Sequence, residues 1–98
     1  MTTLLSELKS GSLTLSLNRP ERANAFNFEM TTALQDALAA AEKDSQVRCV
    51  VITGNGKVFS AGQDISEMKK GGGEISYAEH LEKTYNPLIL QIRSMGKP

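Results

Sequence analysis

Residues 59–65 read Phe59-Ser60-Ala61-Gly62-Gln63-Asp64-Ile65, a turn of small residues between an apolar strand and a short helix. Such a turn directs backbone N–H groups toward open space. Donors held there, next to the positive end of a helix, can stabilise negative charge that develops on an oxygen. The segment therefore indicates an oxyanion site, although its local pattern also fits a purely structural strand-to-helix turn.

The elements on either side of this turn follow from apolar patterning. Val47 to Thr53 contains a continuous apolar run, Cys49-Val50-Val51-Ile52, and ends at Gly54-Asn55-Gly56. A run of this kind suits a strand covered on both faces, so we expect it at the centre of the sheet. After the turn, a capping pattern predicts a short helix from Ile65 to Lys70.

The N-terminal half predicts a hairpin followed by a helix. The leucines of Leu13–Leu17 alternate with polar residues, which is typical of a half-buried strand, and Ser10-Gly11 can turn an earlier strand near Leu4 to Lys9 into it. Asn27 can cap a helix from about Phe28 to Lys43, in which apolar residues recur at i+3 and i+4 spacings.

The C-terminal part predicts a second long helical segment. Ser76 and Glu79 form a capping box, and apolar residues keep helical spacing as far as Met95. Pro87 removes one helical N–H and disfavours helix at the residue before it. The segment is therefore either kinked at Pro87 or divided into two helices.

Composition predicts one soluble domain over residues 1–98. The chain is 40% apolar and 22% charged, with eleven basic and eleven acidic residues. No basic cluster interleaves with aromatic residues, so neither nucleic acid nor a membrane surface is an expected partner. The single Cys49 cannot form an internal disulfide, and no stretch reaches about 18 apolar residues. A cytoplasmic location is the expectation.

Other motifs fail on their spacing. Gly54-Asn55-Gly56-Lys57 is no phosphate-binding loop, because Val58 stands where Ser or Thr is required, and Phe59 interrupts a dinucleotide-binding fingerprint. Lys57 can still help an anion bind. His80 has no second ligand at a convincing spacing, so no metal site is predicted.

Three separated segments resemble, in order and spacing, the enoyl-CoA hydratase/isomerase (crotonase) family. They are Asn18-Arg19-Pro20-Glu21-Arg22-Ala23-Asn24-Ala25-Phe26, then Val50-Val51-Ile52-Thr53-Gly54, and the turn from Phe59 to Ile65. The resemblance implies an α/β fold built as a spiral of β-β-α units, of which this chain would be the N-terminal part. It also implies a homo-oligomer, commonly a trimer or a pair of trimers.

The resemblance further implies a site for an acyl-CoA thioester. In that family the thioester carbonyl lies between two backbone N–H donors that stabilise an enolate, while carboxylates move protons. The first donor corresponds to Ala61, and coenzyme A enters as part of the substrate, with no separate cofactor. Arg22 suits the CoA phosphates through its forked donors, but is equally well an exposed loop residue. The residues expected along the CoA path are Arg22, Ala23, Ala25, Ser60, Ala61, Gly62, Gln63, Asp64 and Ile65.

The reaction type stays open in the sequence. Family members continue beyond the position of Pro98, into a strand and a helix that carry the second donor and the usual catalytic carboxylates. Gly62-Gln63-Asp64 and Tyr85-Asn86-Pro87-Leu88 look most like isomerases of the phenylacetate-degradation branch, which act on ring-epoxide or unsaturated CoA thioesters. The alternative hypothesis is a non-catalytic acyl-CoA-binding or assembly module.

Overall fold

A computed structural model describes residues 3–62 and 86–98 of the chain. These residues form a small sheet, two α-helices and a short 3-10 helix. In chain order the elements are β1 (Leu4–Lys9), β2 (Ser12–Leu17), the 3-10 helix (Pro20–Arg22), α1 (Phe28–Lys43), β3 (Cys49–Gly54) and α2 (Asn86–Ser94).

The predicted hairpin is confirmed. Strands β1 and β2 pair antiparallel, with Lys9 opposite Ser12. The two residues between the strands, Ser10 and Gly11, both have positive φ, 52° and 86°. This backbone geometry matches the twist of the strands that it joins, and glycine adopts it without strain.

Strand β3 lies at the edge of the described sheet, where the sequence predicted the centre. The strand order is β1-β2-β3, and β2 pairs parallel with β3. Val51 is 45% exposed, so the expected cover on both faces is also absent among the described residues. On the outer edge, the Val50 N–H donates to the carbonyl oxygen of Pro98 at 2.9 Å. An apolar sequence favours burial of the strand. The position of the strand in the sheet depends on which other strands it pairs with.

Helix α1 agrees with its prediction at both ends. The Asn27 side chain accepts a hydrogen bond from the Met30 N–H at 2.8 Å, which satisfies one of the free donors of the first turn. The helix buries one stripe against the central strand. The core formed in this way comprises Leu15, Leu17, Phe26, Met30, Leu34, Leu38 and Leu88.

Helix α2 begins at Asn86, next to Pro87, where the sequence predicted a kink or a division between two helices. Pro87 is its second residue, within the first turn, where a missing N–H breaks no intrahelical hydrogen bond. Leu88 is 1% exposed and joins the core. The Gln91 side-chain amide donates to the carbonyl oxygen of Gln35 in α1 at 3.0 Å. The helix predicted from Ile65 to Lys70 lies outside the described residues.

The order β1-β2-α1 constitutes one β-β-α unit, and β3 follows it in the same sheet. Because β2 and β3 are parallel neighbours, their carboxyl ends meet at one edge. The segments that follow them are the two segments of the predicted site. Neither helix among residues 3–62 and 86–98 is long and apolar enough to cross a membrane.

Candidate functional site

Two loops meet at the carboxyl ends of β2 and β3. Leu17 and Gly54 are register partners at the ends of these strands. Immediately beyond them, the Asn55 N–H donates to the Leu17 carbonyl oxygen at 2.8 Å, and the Asn55 side chain donates to that of Asn18 at 2.9 Å. The loop from Asn18 to Asn27 and the loop from Asn55 to Gly62 therefore leave the sheet together.

The main chains of the two loops also pair farther along. The Ala61 N–H donates to the Ala23 carbonyl oxygen at 2.9 Å, and the Phe26 N–H donates to the Gly62 carbonyl oxygen at 2.6 Å. These hydrogen bonds hold residues 23–26 beside residues 61–62. The fold thus brings together two of the segments that the resemblance assigned to one ligand path.

The Ala61 N–H, which the resemblance assigned as the first oxyanion donor, has an acceptor within the chain. Its hydrogen points at Ala23, although the side chain of Ala61 is exposed. The next N–H, of Gly62, donates to the Ser60 hydroxyl oxygen at 3.0 Å. A donor committed to an internal acceptor cannot hold a ligand oxygen with the same strength. The local sequence could not reveal this, since the acceptor is 38 residues away along the chain.

Gly62 retains the geometry that a close ligand approach requires. Its φ is 101°, a conformation that side-chain-bearing residues rarely adopt. Apart from Gly62 and its chain neighbours, no described residue has a heavy atom within 4 Å of the position that a Cβ would occupy. The described residues therefore leave open space beside the main chain at this point. Gln63, Asp64 and Ile65 lie outside the described residues.

The basic residues of the first loop have different surroundings. Arg22 is exposed at the end of the 3-10 helix, as a residue that meets a phosphate would be. Arg19 braces the loop, since one guanidinium nitrogen donates to the Ala25 carbonyl oxygen at 2.6 Å. Lys57 is exposed on the second loop. The ligand contacts expected of Arg22, Ala23 and Ala25 remain predictions.

Asn24 is central to this arrangement, and its side chain received no role from the sequence. It is completely buried, and both it and Ala23 have left-handed φ values, 55° and 52°. This conformation costs about 1 to 2 kcal/mol for most residues, and asparagine tolerates it better than most. An asparagine set between apolar residues in a loop is the signal that could have identified this turn.

Among residues 3–62 and 86–98, no three His, Cys, Asp or Glu side chains converge as metal ligands would. The two loops place main-chain polar groups of residues 61–62 at a surface that the described residues leave open. Arg22 and Lys57 on these loops are exposed and positively charged. Those features suit a ligand with a polarised carbonyl and an anionic portion.

Residues 7–98 match the enoyl-CoA hydratase/isomerase family. The chain is 39% identical over 97 residues to the 1,2-epoxyphenylacetyl-CoA isomerase of Escherichia coli K12, a match that covers 97% of this chain and 37% of that protein. It is 32% identical to the trans-2-decenoyl-[acyl-carrier-protein] isomerase of Streptococcus mutans, with the same two coverages.

A solved structure agrees with this relationship. The enoyl-CoA hydratase of Mycobacterium smegmatis superposes with a TM-score of 0.87 at 36% identity, covering all of this chain and 38% of that one. The expected α/β fold of the crotonase type is therefore confirmed. The chain spans less than two fifths of the length of each of these three proteins.

Proposed function

The chain belongs to the enoyl-CoA hydratase/isomerase family, and we propose that the protein of which it forms part acts on an acyl thioester by stabilising an enolate. The observation that carries this proposal is the paired main chain of residues 23–26 and 61–62 beside the open face at Gly62. Hydration and isomerisation of an unsaturated thioester both place negative charge on the carbonyl oxygen. A fixed N–H donor stabilises that charge more in the transition state than in the ground state.

We assign the donor of this segment to Gln63. The N–H groups of Ala61 and Gly62 already have acceptors within the chain, at 2.9 and 3.0 Å. Gln63 supplies the next N–H in the sequence. Only its main chain is required, so this proposal places no demand on the Gln63 side chain.

Replacing single peptide bonds by esters in the full-length protein tests this assignment. An α-hydroxy acid at position 63 removes one N–H and keeps the side chain, so kcat should fall ~100- to 1000-fold. The matched control is the same replacement at Ala61, which breaks the hydrogen bond to Ala23. It should cost about 1 kcal/mol of stability and lower kcat far less. If the ester at position 61 lowers kcat strongly and the ester at position 63 does not, the donor is the Ala61 N–H.

For the substrate, we propose an unsaturated or ring-epoxide acyl-CoA thioester. Support comes from the identity to 1,2-epoxyphenylacetyl-CoA isomerase and from exposed Arg22, which suits the CoA phosphates. The test is a panel of crotonyl-CoA, 1,2-epoxyphenylacetyl-CoA and trans-2-decenoyl thioesters on CoA or acyl carrier protein. Turnover of a CoA thioester, with a raised KM in Arg22→Ala, is expected. Turnover restricted to carrier-protein thioesters would contradict the choice of CoA.

A homo-oligomer, either a trimer or a hexamer, is proposed for the full-length protein in the cytoplasm. Large apolar side chains that are exposed in the described residues are compatible with such assembly, among them Leu90 of α2 at 68% exposure and Phe28 of α1 at 59%. The alternative of a non-catalytic module is not favoured, since the relatives are named as enzymes.

A further inference from the structure

We propose that Asn24 is a positioning residue for the reaction, which sets the position of the main chain at residues 60–62. This inference rests on the proposed function. Asn24 is fully buried, and its side-chain amide links three main-chain groups. Asn24 and Arg19 belong to the loop after β2, whereas the two carbonyl groups that the Asn24 amide binds, of Asn55 and Val58, belong to the loop after β3.

The hydrogen bonds fix the orientation of the Asn24 amide. Its oxygen accepts from the Arg19 N–H at 2.7 Å, and its nitrogen donates to the carbonyl oxygens of Asn55 and Val58, each at 2.9 Å. A carbonyl can only accept, so the NH₂ group must face the second loop. Both of its hydrogens are used there. Few side chains of this size could satisfy one donor and two acceptors at once.

A second set of hydrogen bonds links Asn24 to Ser60 and Gly62. The Ser60 hydroxyl donates to the Asn24 carbonyl oxygen at 2.8 Å, and the same hydroxyl oxygen accepts the Gly62 N–H at 3.0 Å. Asn24 therefore holds the second loop at Asn55 and Val58 through its side chain, and at Ser60 through its main chain. The proposed donor at Gln63 follows directly after this relay in the sequence.

The test uses Asn24→Gly in the full-length protein. Glycine keeps the left-handed conformation and removes the amide, which separates the backbone geometry from the hydrogen bonds. A misplaced donor weakens only the transition state. We therefore expect kcat to fall about 100-fold, as for other small displacements of reacting groups, with KM nearly unchanged. Assays are run at a temperature at which circular dichroism shows every variant folded.

Thr31→Val is the matched control. Thr31 is the other polar side chain that is buried among the described residues, at 1% exposure. Its hydroxyl donates to the carbonyl oxygen of Asn27, the N-cap residue of α1, at 2.8 Å. A loss of stability without a loss of kcat is expected there. Equal losses of kcat in Asn24→Gly and Thr31→Val, or a loss confined to KM in Asn24→Gly, would overturn the proposal.

Ser60→Ala and Ser60→Thr extend the test to the relay itself. The alanine variant should lower kcat and the threonine variant should restore it, because only threonine keeps the hydroxyl. This pair also covers the case in which Asn24→Gly does not fold. Equal kcat in the alanine and threonine variants would contradict the relay.

Hydrogen exchange of the full-length protein supplies a readout that does not depend on turnover. A peptide spanning residues 59–62 should exchange about tenfold faster in Asn24→Gly, since local opening becomes easier, while α1 is unchanged. An inactive parent protein would refute the proposed function. The hydrogen-exchange rate over residues 59–62 would still test the role of Asn24. Unchanged exchange over residues 59–62 would refute that role, whatever the activity.

Discussion

Gly54 occupies a position at the end of β3 where no side chain fits. A Cβ built there would clash with the Phe59 carbonyl oxygen and would lie 2.6 Å from that of Val58. Both neighbours are backbone, which cannot rotate away as the end of a side chain can. The return of the chain over Gly54 is what carries residues 58–62 back toward Asn24. At the scale of single residues, the site therefore depends on one missing side chain and one buried amide.

We predict that Gly54→Ala destabilises the full-length protein by about 1 to 3 kcal/mol, as overpacking generally does. Gly96→Ala is the control, because no described residue other than Gly96 and its chain neighbours lies within 4 Å of its Cβ position, and its φ is not positive. Urea unfolding of both variants measures the difference. If both substitutions change the free energy of unfolding equally, the loop from Asn55 to Gly62 accommodates the added methyl group of Gly54→Ala without loss of stability.

At the scale of elements, α1 is held by side chains at both ends. Asn27 caps the first turn. At the other end, the Lys97 ammonium donates to the carbonyl oxygens of Ala41 and Asp44, both at 2.7 Å. These two carbonyls also accept the Asp44 and Val47 N–H groups, at 3.3 and 3.0 Å. A cation there adds charge-assisted hydrogen bonds and interacts favourably with the helix dipole. The same contact ties the end of the described chain to the helix and leaves Pro98 beside β3.

Lys97→Met should lower stability by about 1 kcal/mol, since it removes charge-assisted hydrogen bonds but keeps most of the apolar stem. Lys43→Met tests the contribution of charge alone, because Lys43 is exposed in the last turn of α1. We expect a smaller effect there, and thermal unfolding distinguishes the two. If Lys43→Met costs as much as Lys97→Met, the hydrogen bonds to Ala41 and Asp44 contribute little.

At the scale of the whole molecule, one face of the sheet packs on α1 to form the core. Leu15 and Leu17 of the central strand are both completely buried there. Leu8 of β1 lies on the same face, opposite Leu13 in the register, but at the rim of the core it is 42% exposed. The strands whose carboxyl ends carry the site are thus anchored by this packing.

Leu15→Ala should therefore cost about 2 to 5 kcal/mol, from lost burial and the cavity that remains. The same substitution at Leu8 removes a half-exposed side chain from the same face and should cost less than half as much. Urea midpoints of the two variants in the full-length protein give the comparison. Similar midpoints would mean that Leu8 is covered in the assembled protein.

The sequence by itself determined the elements whose causes are local. Strand alternation, the Ser10-Gly11 turn and the Asn27 cap act within a few residues. Helix α1 accordingly has the predicted bounds, and the second hairpin strand begins one residue earlier than predicted, at Ser12. Tertiary structure alone decided the pairing of β3 with β2, the acceptor of the Ala61 N–H and the partners of the Asn24 amide on the second loop. Each depends on partners more than 30 residues away, such as Asn55 and Val58 for the Asn24 amide. A short-range pattern shows which donors a turn contains, but only the folded chain decides which of them stay free.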